Sequence, residues 1–216
     1  MFQAFAMHPQ TNKKSRQLGI YRGVFLMNMK KAFEKFFEEM TQNYLNEWGV
    51  PPQVPYTEEK NPTGLFLPET LNDKGYAQWK PKLQEKPVSF DAVEKELGFS
   101  IHPQIKAFLS TYWFLALDGI IQTSRGEAEL RLNGLTPYSN LEEHIIFDFD
   151  NKETHYLHNQ KYFLIGTFCS IGGNDSYLVQ VNNDTGEVTA VDVMNKRSVH
   201  LADSIEELLC NMKGIW

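Results

Sequence analysis

The strongest constraint on the fold lies between Tyr162 and Met194, where three stretches of strand character follow one another over short connections. Tyr162–Phe168 and Ser176–Val181 are rich in β-branched, aromatic and aliphatic residues, and Glu187–Met194 returns after the turn residues Asn182–Gly186. Strands joined so tightly pair antiparallel. A second pair is expected between Phe114 and Leu132. There Glu127, Glu129 and Arg131 alternate with Ala128, Leu130 and Leu132, and Gly119 and Gly126 punctuate the run, giving two strands with one wet face.

Helical periods surround this β-rich block. Phe33, Phe36, Phe37, Met40, Tyr44, Leu45 and Trp48 form an apolar stripe over Lys30–Trp48, ended by Gly49 and by Pro51 and Pro52. Five of the ten prolines fall between Pro51 and Pro68, which makes that stretch an ordered surface loop with a short strand at Gly64–Leu67. Ser89 caps a helix over Phe90–Leu97 that Gly98 stops, and Pro103 opens another carrying Ile105, Phe108, Leu109, Tyr112 and Trp113. Ser139 with Glu142 forms a capping box for a helix running from Leu141 towards His158, and Asp203 with Glu206 caps a final helix, Ile205–Met212, that Gly214 ends. The order predicts an α+β fold, an antiparallel sheet flanked by helices in a single domain.

Charge divides the 216 residues unevenly. Residues 1–29 hold Lys13, Lys14, Arg16 and Arg22 and no acid, so the −6 of the whole chain becomes −10 over residues 30–216. Such a body repels nucleic acid and anionic lipid and attracts basic partners. Residues 1–29 are set apart from the domain at 30–216, either as a basic N-terminal extension or as sequence upstream of a start at Met27 or Met29. The most apolar run, Phe108–Ile121, contains Asp118 and falls short of the roughly 20 residues that a membrane span requires. Two cysteines, Cys169 and Cys210, exclude a disulfide-rich scaffold and fit a reducing compartment.

Catalytic signatures are lacking. His155 and His158 share a helical face, but His144 lies about three turns away with no matching carboxylate, so surface histidines fit better than a metal site. Asp148 and Asp150 are two residues apart and do not converge as an acid–base pair. Cys169 has no base beside it, and no phosphate-binding glycine loop is present. Gly172-Gly173 fits a bulge or turn between strands, with an anion-binding nest as the sharper alternative. No cofactor, no metal and no enzymatic activity are expected.

Three segments together resemble the Syd family, within the SUKH superfamily. They are Phe90–Trp113 (FDAVEKELGFSIHPQIKAFLSTYW), His200–Lys213 (HLADSIEELLCNMK) and the Tyr76–Pro81 strand (YAQWKP). Phe163–Val188 is similar to the wider superfamily's Ile-Gly, Gly-Gly and Gly-Glu-Val block. The resemblance implies an α+β fold, no catalysis and no cofactor. Its implied partner is SecY, bound through basic cytoplasmic loops, with loose peripheral attachment to the cytoplasmic side of the bacterial inner membrane through protein rather than lipid. Phe90–Thr154 carries eleven acidic and five basic side chains, and Asp118, Glu127, Glu129, Glu142 and Glu143 are the expected acidic contact. A monomer that binds no nucleic acid fits the same reading. The alternative within the superfamily is an immunity protein that covers the basic cleft of a toxin nuclease.

Overall fold

The computed structural model describes residues 12–57, 64–86, 88–137, 140–149, 162–171, 173–192 and 194–215. Helix α1, Asn12–Trp48, runs from inside the segment that the sequence sets apart, and Met29 is its first described core side chain. Phe33, Phe36, Phe37 and Met40 of α1 are buried, as the stripe predicts. The Phe33 ring lies 5.6 Å from Phe108, 5.5 Å from Tyr112 and 5.2 Å from Phe114, an aromatic cluster joining α1 to the middle of the chain. Leu45 and Trp48 at the end of the stripe are exposed instead. No helix among the described residues is long and apolar enough to cross a membrane.

The described ends of the proline-rich stretch enter a small sheet of β1 (Gln53–Pro55), β3 (Tyr76–Trp79) and β2 (Phe66–Leu67), with β3 in the centre; residues 58–63 are outside the described residues. β4 (Lys82–Leu83) pairs with β5 (Tyr112–Trp113) across the intervening helices α2 (Asp91–Leu97) and α3 (Pro103–Thr111). Phe90, not Ser89, occupies the N-cap of α2, and the Ser89 hydroxyl accepts the Asp91 N–H at a long 3.4 Å. His102 caps α3 as its Nδ1 accepts the Gln104 N–H, with Pro103 in the first turn where its missing N–H costs nothing.

A larger sheet follows, in the order β11–β10–β9–β8–β7–β6–β12, every pair antiparallel. Its strands are β6 (Leu117–Thr123), β7 (Gly126–Leu132), β8 (Tyr162–Ile171), β9 (Asn174–Asn182), β10 (Val188–Asp192), β11 (Arg197–Ala202) and β12 (Lys213–Gly214). Helix α4, Leu141–Phe149, lies between β7 and β8; residues 138–139 and 150–161, with the expected Ser139 cap and the reach to His158, are outside the described residues. The last helix is α5, Ile205–Asn211, and β12 follows it. The α5 cap is shifted by one residue from expectation. Ser204 Oγ accepts the Glu207 N–H at 3.0 Å and Glu207 Oε2 accepts the Asp203 N–H at 2.8 Å, so Glu206 turns inward. Gly214 belongs to β12 rather than to a helix stop, placed where the α1 residue Met40 would crowd any Cβ.

The core joins the buried face of this sheet to a layer of α1, α3 and α5. Strand β11 curls back near β6, and α5 packs against both. Gly119 of β6 allows that closeness, since a Cβ there would collide with the Met212 side chain. The expected meander, hairpin and terminal helix are all present, and the fold is α+β.

Candidate protein-binding surface

Side chains alternate across a strand. The β6–β7 register pairs Asp118 with Arg131, Ile120 with Glu129 and Gln122 with Glu127, which puts these six on one face. Leu117, Ile121, Ala128, Leu130 and Leu132 turn the other way and are buried. Three of the five expected acidic contacts, Asp118, Glu127 and Glu129, therefore meet on the outer face of one hairpin.

Their electrostatic situations differ. Arg131 Nε and Nη2 donate to Asp118 Oδ1 and Oδ2 at 2.6 and 3.0 Å, a two-pronged pair that neutralises Asp118. The hydrogen bond and charge of Asp118, with a smaller push from Glu129, hold the Arg131 guanidinium above its ordinary value. Gln122 Nε2 donates to Glu127 Oε1 at 2.9 Å, which fixes that carboxylate without cancelling its charge. Glu129 is exposed, with Ile120 across from it. At the rim, Lys213 of β12 pairs with Ile120 in register, and Ile121, Gln122, Glu127, Leu201 and Asn211 help line a cleft of about 300 Å³.

Glu142 and Glu143 stand apart from this hairpin. Both are exposed in the first turn of α4, where carboxylates suit the positive end of the helix dipole. The helix is seated by Phe149, whose ring lies 5.3 Å from Phe99 and 5.1 Å from Phe163. The chain approaches α4 from the Leu132 end of β7, whereas Glu127 lies towards the other end, about 17 Å along the strand. The structure thus gathers Asp118, Glu127 and Glu129 and leaves Glu142 and Glu143 on a second element. Arg131 already shared the alternation of Glu127 and Glu129 in sequence, but nothing there signalled its pairing with Asp118. Lys213 carried no signal at all.

The remaining candidates supply no chemistry among the described residues. His144 is half-buried and desolvation lowers its pKa, so the ring is neutral at pH 7. His155, His158, Asp150 and the Asp148 side chain lie outside the described residues. No group of three or more His, Cys, Asp or Glu among the described residues could hold a metal ion. Burial pushes the Cys169 thiol up to about 12, and both cysteines are free thiols. Gly173, at φ +81°, forms part of the turn from β8 to β9, where the register of the two strands is irregular.

What fold and surface define together is an α+β domain with an antiparallel sheet that carries a mixed but acidic outer hairpin. The chain matches the family described as Syd protein (SUKH-2) over residues 30–214, and it belongs to that family. It is similar to Protein Syd of Colwellia psychrerythraea, 25% identical over 194 residues covering 85% of this chain and 92% of that one. Protein Syd of Alteromonas mediterranea is 27% identical over 143 residues, 65% of this chain and 74% of that one. Protein Syd of Shewanella loihica is 25% identical over 193 residues, 87% and 83% of the two chains.

Proposed function

We propose that this protein binds the cytoplasmic face of the translocon subunit SecY and acts as a check on, or scavenger of, unassembled translocase. The observation that carries the reading is membership of the Syd family over residues 30–214, the family whose resemblance implies SecY as partner. Physics supports it. Cytoplasmic loops of membrane proteins are enriched in Lys and Arg, and a body of net −10 draws such loops in at long range. Glu127, held by Gln122, and Glu129 offer the un-neutralised carboxylates of the contact, Asp118 and Arg131 brace the hairpin beside them, and Glu142 and Glu143 extend the negative field to α4. The protein acts by binding alone, as a monomer without cofactor or catalysis. Its membrane attachment is peripheral and runs through the receptor.

The test is recovery of the partner from membranes. Detergent extracts passed over the immobilised protein should yield SecY at low salt and release it at high salt. Recovery of no SecY from extracts that contain it would overturn the reading.

A further inference from the structure

The body is acidic, yet Lys80–Lys86 carries Lys80, Lys82 and Lys86 against Glu85 alone. This stretch contains β4, and beside the β4–β5 pair opens a groove of about 300 Å³ lined by residues 82–86, with Glu85 between the two lysines, and by Val88 and Trp113. Neither Lys82 nor Lys86 enters an ion pair among the described residues. Leu83 is 44% exposed, so the groove joins free ammonium groups to an apolar wall.

Two further features concern backbone and amide. Alternate residues of an antiparallel strand direct their N–H and C=O groups to opposite sides. The Gln84 N–H donates to the Thr111 carbonyl at 3.0 Å, so Gln84 faces β5 and its neighbours Leu83 and Glu85 face away. Among the described residues no strand covers that side, which leaves a template for an added strand. The Gln84 side chain is spent on its nitrogen, whose Nε2 donates to the Leu109 and Tyr112 carbonyls, each at 3.0 Å. Those two bonds fix the amide orientation and leave Oε1 buried with no hydrogen-bond partner. That acceptor is enclosed, so the groups open to an added strand are the main-chain N–H and C=O of Leu83 and Glu85.

We propose that this groove takes an extended segment of a partner protein, bearing carboxylates beside an apolar side chain, as a third strand on the open edge of β4. Main-chain bonds to Leu83 and Glu85 supply the register, Leu83 meets the apolar residue on one face, and Lys82 and Lys86 on the other face select for the acidic neighbours. The surface is independent of the proposed SecY contact, which is acidic and therefore selects the opposite charge.

The probe is a capped peptide of alternating Glu and Val, compared with one of alternating Lys and Val, titrated into the full chain at low salt. Binding is read from the indole resonance of Trp113 and the backbone amides of Leu83 and Glu85. The Glu–Val peptide should bind saturably and shift those signals, and Lys82→Glu with Lys86→Glu should weaken it at least tenfold while the rest of the spectrum stays in place. N-methylation of alternate peptide nitrogens should abolish binding. Equal binding by the Lys–Val peptide, indifference to charge reversal, or tolerance of N-methylation would each overturn the proposal. A concentration-dependent dimer that the double variant dissolves would identify a second copy of this chain as the occupant and overturn it equally.

Discussion

Replacing Gly186 with alanine tests how the sheet is locked to the helical layer. Gly186 closes the β9–β10 turn at φ +82°, and its N–H donates to the Asn182 carbonyl at 2.8 Å. A Cβ at this position would stand 2.7 Å from His102 Cε1 and 3.0 Å from Gln104 Nε2. Both neighbours are committed. The His102 N–H donates to Asn183 Oδ1 at 2.8 Å, and Asn183 Nδ2 donates to the Ser100 carbonyl at 2.9 Å. Gln104 is buried, and its Oε1 accepts the Ile205 N–H at 3.0 Å, which ties α3 to α5. The alanine therefore costs about 1–2 kcal/mol for its left-handed backbone. Pushing Gln104 aside orphans a buried N–H and adds about 1–3 kcal/mol. A total of about 2–5 kcal/mol is expected from urea unfolding followed by far-UV circular dichroism, with the midpoint lowered and the slope unchanged. A loss below about 1 kcal/mol would show that His102 and Gln104 swing away freely, and the lock would be refuted.

Glu206 has both carboxylate oxygens buried without a hydrogen-bond partner, and desolvation raises its pKa above the ordinary 4.5. The folded state holds that proton more tightly than the unfolded chain, so this contribution is fully present below the unfolded value and is lost as pH rises through the folded one. Glu206→Gln should accordingly stabilise the protein at pH 7 by about 1 kcal/mol, a figure scaled down for the residue's partial exposure, and by nothing near pH 4. A gain that persists undiminished in acid would contradict this. Alkylation by iodoacetamide should modify Cys210 well before Cys169, whose buried thiol is pushed up to about 12; equal rates in the folded protein would refute that difference. Flotation with protein-free anionic vesicles at physiological salt should leave the protein unbound, since residues 30–216 carry −10. Stable flotation would sink receptor-dependent attachment.

The meander was legible because β8, β9 and β10 carry enough aliphatic and β-branched residues to fill the buried face, and Asn182–Gly186 fixes the turn between the last two. Local chemistry decides such elements. β12 was illegible, because Lys213–Gly214 is a strand only by virtue of the β6 edge it meets. The apolar period specifies the final helix but not its cap, since Asp203, Ser204, Glu206 and Glu207 offer two overlapping capping patterns that only the inward turn of Glu206 separates. The same contrast holds at the surface. Exposure of Glu127 and Glu129 follows from alternation alone. The neutralisation of Asp118 by Arg131 depends on a register thirteen residues apart, and the β4–β5 groove on a pairing of Lys82 with Trp113 that no local pattern announces.

The most direct measurement of the central claim is the association of detergent-solubilised SecY with the wild-type protein and with Glu127→Lys, Glu129→Lys across a range of salt. Both side chains are exposed on the outer face of β7, so the reversal changes the field without disturbing the core. The account predicts association at least tenfold slower for the variant at low salt. That gap should close as the screening length shrinks from about 10 Å at 0.1 M to about 3 Å at 1 M. Equal association of the two proteins at low salt would contradict it.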